Sequence, residues 1–164
     1  VMFVALVVQG NAGLLTGFRR DATVRSIGVG WTELARQIEA VRSRVGAACV
    51  LAGDYGTTGW LMFYLPKGTC VLQRNERIRW VNMPEPDPAR LGGKLLYVGE
   101  PSAATHAILT QNFSGVEKVA ELSGMRGPLL IETYQLDLLE GATGDVLDHS
   151  PPPEFGTSET APKR

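Results

Sequence analysis

The chain has 164 residues, of which 44% are hydrophobic and 20% charged, so it can form one globular domain with a sizeable core. Its formal net charge of −1, with basic residues dispersed among acidic ones, disfavours a nucleic-acid partner. Cys49 and Cys70 are the only cysteines, which excludes a disulfide-rich scaffold; whether they form a bridge stays open, because each lies in an apolar run.

The first eight residues, VMFVALVV, are all apolar. They are too few to span a bilayer, which takes about 20 residues, and no positive segment precedes them as in a signal peptide. A buried strand or the last turns of a membrane helix remain as interpretations. The chain starts without methionine, which favours a fragment, and we assign residues 1–17 to a membrane-helix end or connecting segment.

Residues 31–45 carry the clearest helical pattern. Leu34, Ile38, Val41 and Val45 form one apolar stripe at spacings of four, three and four. Gly46 is a natural helix stop, and the apolar run that follows predicts a step from helix to strand.

The segment AACVLAGDYGTTGWLMFYLP, residues 47–66, predicts a buried strand over 47–52 followed by a helix over 56–65. The strand stops at Asp54 and Tyr55, and Pro66 closes the helix. In open α/β sheets ligands bind beyond the carboxyl ends of the strands, so this turn marks where a site would lie.

Two further strands are predicted over residues 69–73 and 94–98, the second apolar on both faces like a central parallel strand. Between them, alternate prolines over residues 83–89 forbid helix and favour an extended linker.

In the last third, Ser114 and Glu117 match a capping box, which predicts a helix running through Leu122. Residues 129–138 alternate in polarity and predict an antiparallel edge strand. Residues 150–164 have no core-forming pattern and are predicted to be disordered.

Strands that alternate with helices predict the α/β class. We expect a three-layer Rossmann-like or flavodoxin-like open sheet over residues 18–149, mostly parallel, with an antiparallel edge strand.

The candidate substrate-binding residues are Asp54, Tyr55, Arg77, Arg79 and Trp80, which follow the strands 47–52 and 69–73. The carboxylate and the phenol suit sugar hydroxyls, and guanidinium groups suit a phosphate or a carboxylate. The structural alternatives are that Asp54 caps the turn and that an arginine pairs with an acid to tie two loops together.

Other chemistry has weak support. The turn from Gly56 to Gly59 could bind an anion at a helix start, but a tight turn with Thr57 or Thr58 as cap explains it better. Trp60 lies at helical spacing with other aromatic residues and is expected in the core. No Cys/His/Asp cluster has metal-ligand spacing, and no metal, cofactor or catalytic residue is predicted.

Four short motifs, GW-x-x-LA at residues 30–35, DY-x₇-FYLP at 54–66, RIRW at 77–80 and LLYV at 95–98, carry a family resemblance. Over residues 18–140 the chain resembles the soluble C-terminal domain of bacterial family 39 membrane glycosyltransferases, which are related to protein mannosyltransferases and to the aminoarabinose transferase acting on lipid A.

The resemblance implies a polytopic parent enzyme that moves a sugar from a polyprenyl-phosphate donor to an extracytoplasmic acceptor. The chain would be its non-catalytic periplasmic or exterior domain, attached to the transmembrane portion in the plasma membrane and aiding acceptor recognition. The family's catalytic carboxylate lies in a loop that this chain lacks, and Asp21 fits the family's acidic turn only loosely.

Two alternatives from other classes stay open. One is a free-standing flavodoxin-like module that binds a small molecule or nucleotide. The weaker one is a small hydrolase using Asp54 and His106, which requires the two side chains within hydrogen-bond reach.

Overall fold

A computed structural model describes residues 28–75, 79, 85–126, 129–144 and 146–147. The predictions for residues 1–17, for Arg77 and Trp80, and for the tail 150–164 lie outside the described residues. None of the described helices is long and apolar enough to cross a membrane.

Nine elements follow one another along the chain. They are α1 (Trp31–Val45), β1 (Cys49–Ala52), α2 (Tyr55–Tyr64), β2 (Cys70–Gln73), α3 (Pro88–Leu91), β3 (Leu95–Gly99), α4 (Ala103–Asn112), β4 (Phe113–Arg126) and β5 (Leu129–Ala142). The predicted helix over 31–45 and the three predicted strands are confirmed, and the boundaries of the strands differ by no more than two residues. The expectation that residues 83–89 exclude helix is wrong at its end, because the short helix α3 begins at Pro88, and proline is tolerated in the first turn of a helix.

The strands form one mixed sheet in the order β2-β1-β3-β5-β4. β1 pairs in parallel with both β2 and β3, whereas β5 runs antiparallel to β3 and to β4. The α/β class, with a parallel core and an antiparallel side, is therefore confirmed.

Alternate residues of the strands enter two separate core clusters. Val50 and Ala52 of β1 pack in the cluster that contains the apolar stripe of α1 and Leu61 of α2. Cys49 and Leu51 pack in the other cluster, with Leu109 of α4. This alternation follows from the period of two in a strand and explains why β1 is apolar throughout.

The prediction for residues 114–122 is wrong. These residues belong to β4, and the helix α4 precedes them, with Ser102 as its N-cap. The capping-box pattern is not used, because a long antiparallel ladder with β5 provides more hydrogen bonds than one short helix. The strand predicted over 129–138 exists and is antiparallel; it is internal, and β4 forms the edge.

Cys49 and Cys70 form a disulfide. They are directly opposite each other in the parallel register of β1 and β2, with Cα atoms 4.6 Å apart. The sequence alone does not decide the bridge, because the two residues become neighbours only through this pairing.

Candidate functional site

A cleft of about 430 Å³ opens beyond the carboxyl ends of β1 and β3, at the N-termini of α2 and α4. This is the edge of the sheet at which open α/β folds bind ligands. The lining residues are Trp31, Gly53, Asp54, Gly56, Thr57, Trp60, Asn75, Tyr97, Gly99, Glu100, Ser102, Thr105, Glu132 and Tyr134.

Asp54 is both the N-cap of α2 and a wall of the cleft. Its Oδ1 accepts a hydrogen bond of 2.9 Å from the backbone N–H of Thr57, and its carbonyl accepts one of 2.7 Å from the Thr58 hydroxyl. The cap is thus Asp54 rather than Thr57 or Thr58. A carboxylate at this helix start also disfavours a bound anion there.

The hydroxyl of Tyr97 forms part of the cleft floor between two glycines. A Cβ atom added at Gly53 would lie 2.2 Å from this oxygen, and one added at Gly99 would lie 2.5 Å from it. Burial raises the pKa of Tyr97, although Arg74 and a hydrogen bond with Thr105 oppose that rise. The phenol therefore stays protonated at neutral pH and can donate or accept a hydrogen bond.

Aromatic rings form a second side of the cleft. Trp31 stacks on Trp60 at 6.3 Å between ring centroids and meets the edge of Tyr134 at 5.4 Å. Tyr134 donates a hydrogen bond to Oε2 of Glu132, and burial raises the pKa of its hydroxyl. Trp60, expected in the core, is half-buried and borders both the core cluster and the cleft.

Arg74 and Asn75 join the end of β2 to the end of β1. The Arg74 guanidinium donates from Nη1 to Oδ1 of Asn75 at 2.6 Å, and Nδ2 of Asn75 donates to the Gly53 carbonyl at 2.8 Å. Arg74 is only 7% exposed. These bonds fix the loop that carries Asp54.

The structure brings together only some of the predicted site residues. Asp54 lines the cleft. Tyr55 is 43% exposed and lies next to it in sequence, with the Arg79 guanidinium 5.3 Å from the centre of its ring. Arg77 and Trp80 fall outside the described residues. Substrate binding by these five residues stays a prediction.

The proposed Asp54 and His106 pair gains no support. His106 is exposed on α4 and is not a lining residue of the cleft, and the contacts shown for Asp54 are with Thr57 and Thr58.

Several lining residues were missed from the sequence, notably Tyr97, Glu100, Thr105 and Glu132. One signal could have found Glu100. Gly99 ends β3 and Glu100 follows it, much as Gly53 and Asp54 follow β1, so a glycine and an acid stand at the ends of two neighbouring parallel strands. Glu132 lies on an antiparallel strand, where the rule for parallel strand ends does not apply.

Within the described ranges no group of three or more His, Cys, Asp or Glu side chains could hold a metal ion. No protein-family model, curated protein or solved structure matches the chain. The chemistry of the cleft therefore rests on its own residues: three carboxylates, several hydroxyls and two indoles around one concave surface.

Proposed function

We propose that this chain is the extracytoplasmic domain of a family 39 membrane glycosyltransferase and that its cleft binds the hydroxyl groups of a sugar. The observation that carries the proposal is the convergence of Asp54, Glu100 and Glu132 on a cleft that Trp31 and Trp60 also line. Carboxylates accept hydrogen bonds from sugar hydroxyls, and an aromatic face packs against the apolar face of a pyranose.

The charge of the cleft favours a sugar over a phosphate. Among the described residues, no lysine or arginine lines the cleft, and the first turn of α2 already holds the Asp54 carboxylate. A phosphate would lie close to three acidic side chains, which repel it. The sugar part of the lipid-linked donor, or the acceptor, would therefore enter the cleft, while its phosphate stays outside.

Arg79 and Tyr55, outside the lining of the cleft, remain candidates for the phosphate or the acceptor, together with Arg77 and Trp80. Guanidinium groups bind phosphate and carboxylate through paired N–H donors. Under this proposal the domain positions the acceptor for the transmembrane portion, which supplies the catalytic carboxylate.

Two further observations support the proposal. The Cys49–Cys70 disulfide is typical of proteins in an oxidising compartment such as the periplasm. Alternate residues of the same strands lie in two different core clusters, which supports a three-layer flavodoxin-like arrangement.

The test is an NMR titration of the 164-residue chain with methyl α-mannopyranoside, methyl β-glucopyranoside and sodium phosphate in parallel. We expect at least one glycoside to shift the amide signals of Gly53, Asp54, Gly99 and Glu100, and phosphate to leave them unchanged. Asp54→Asn should weaken glycoside binding, whereas Glu117→Gln, on the exposed face of β4, should not. Binding of phosphate but of neither glycoside at these amides would refute the proposed ligand class.

A separate observation tests the membrane assignment. The reading frame upstream of Val1 is expected to encode several membrane helices. An initiator methionine close to Val1, with no such helices, would support the free-standing binding module instead.

A further inference from the structure

A second concave surface lies along the outer edge of β2. It is a trough of about 510 Å³ between α2 and the segment 85–90, with the strand at its floor. Residues from both faces of β2 line it, so the trough follows the strand edge itself. The lining includes Met62 of α2, Val71 and Gln73 of β2, and Arg90 on the opposite side.

The main-chain groups of Val71 and Gln73 face this trough. The N–H of Arg74 donates to the carbonyl of Ala52 at 2.9 Å, and Gln73 is paired with Ala52 in the parallel register. In a parallel ladder, successive residues direct their N–H and C=O groups to opposite sides. Arg74 and Leu72 therefore bond to β1, while Val71 and Gln73 point outward. In the described part of the chain no strand pairs with this side of β2.

The side chain of Gln73 adds an unsatisfied acceptor. The residue is 1% exposed, and its Nε2 donates to the carbonyl of Asn75. Its Oε1 is buried and has no hydrogen-bond partner. A buried polar atom without a partner is rare in folded proteins, because it loses its bond to water and gains nothing in return. An N–H group from a molecule bound in the trough would satisfy it.

We propose that the trough binds an extended polypeptide segment of a partner protein, which adds a strand to the edge of β2. Such strand addition takes its affinity from main-chain hydrogen bonds and its specificity from pockets for alternate side chains. The main apolar contact would come from Met62 of α2, which lines the trough and is 46% exposed.

The shape of the trough favours a single strand over a second copy of this chain. The trough is lined by α2 on one side and by residues 85–90 on the other, with β2 between them. A peptide fits between these walls, whereas the edge of a second copy is flanked by its own walls. The proposal is independent of the sugar cleft, because the trough and the cleft have no described lining residue in common.

The probe is the pentapeptide acetyl-Thr-Val-Thr-Val-Thr-amide, titrated into the isotope-labelled full chain and followed by NMR. Two isomers complete the set, one N-methylated at residues 2 and 4 and the other at residues 3 and 5. N-methylation removes the donors on one side of a strand only. We expect the parent peptide to shift the amides of Val71 and Gln73. One isomer should bind like the parent and the other about tenfold or more weakly.

Two protein variants provide the matched comparison. Val71→Pro removes one outward N–H and leaves the bonds between β1 and β2 intact, since proline is tolerated on the free side of an edge strand. Val71→Thr keeps that N–H and the β-branched shape. Peptide binding should be lost in the first variant and retained in the second. If Val71→Pro does not fold, the two N-methyl isomers still decide the question.

Equal binding of both N-methyl isomers would overturn the proposal, as would the absence of any shift at Val71 and Gln73. Concentration-dependent dimerisation that shifts the same amides without peptide would assign the edge to a second copy instead. None of these results depends on whether the cleft binds sugars.

Discussion

The contact between Gly53 and Tyr97 gives the sharpest quantitative test of the cleft floor. In Gly53→Ala the new methyl group would lie 2.2 Å from the Tyr97 hydroxyl oxygen and 3.2 Å from Cζ. The oxygen must move, in a side chain that is only 5% exposed. Overpacking of this kind costs about 1–3 kcal/mol, so we expect the free energy of unfolding to fall by about 2 kcal/mol.

The same substitution should be much less harmful in a Tyr97→Phe background. Phenylalanine lacks the oxygen, and the nearest ring atom, at 3.2 Å, requires a shift of only a few tenths of an ångström. Gly53→Ala should then cost less than about 1 kcal/mol, which corresponds to a coupling energy of about 1–2 kcal/mol in the double-mutant cycle.

Urea unfolding of the four proteins, with the disulfide intact, measures this coupling. Gly59→Ala is the matched control, because nothing lies within 4 Å of a Cβ at that position in α2. Alanine should stabilise this helix by about 0.5–1 kcal/mol. If Gly53→Ala costs the same with Tyr97 and with Phe at position 97, the hydroxyl is not held against Gly53 and the described floor is wrong.

Three further predictions concern the cap, the disulfide and pH. Asp54→Ala should lower the free energy of unfolding by about 1 kcal/mol through loss of the helix cap, whereas Asp54→Asn, which keeps an acceptor, should cost little; equal losses in urea unfolding would argue against the cap. Replacing both Cys49 and Cys70 by alanine should cost about 3 kcal/mol, since the bridge closes a loop between residues 21 apart; two reactive thiols in the unreduced, denatured wild type would contradict the bridge. Burial raises the pKa of Tyr134, so the folded state keeps the phenol proton at a pH where the unfolded state loses it. The free energy of unfolding should therefore have its full value below about pH 10 and should fall above it. Thermal melts between pH 8 and 11 should show a weaker fall in Tyr134→Phe, and identical pH profiles would refute the assignment.

Local sequence patterns were sufficient for the parallel half of the fold. The stripe of Leu34, Ile38 and Val41 predicts α1. The apolar runs at 47–52 and 94–98 predict β1 and β3, because a strand that is buried on both faces consists mainly of apolar residues. Asp54 could also be placed from the sequence, since it follows a buried strand directly and precedes a helix.

The tertiary structure decided the antiparallel half, the disulfide and most of the cleft. Ser114 and Glu117 match a helix start, yet they lie in a strand, because pairing with β5 outweighs a local cap. Cys49 meets Cys70 only when β1 and β2 align in register. Glu132 and Trp31 reach the cleft from distant parts of the chain. The periodicity of a segment indicates which of its faces is buried, but it carries no information on which segments become neighbours. The cleft is formed by residues of several segments, so its composition depends on the tertiary structure.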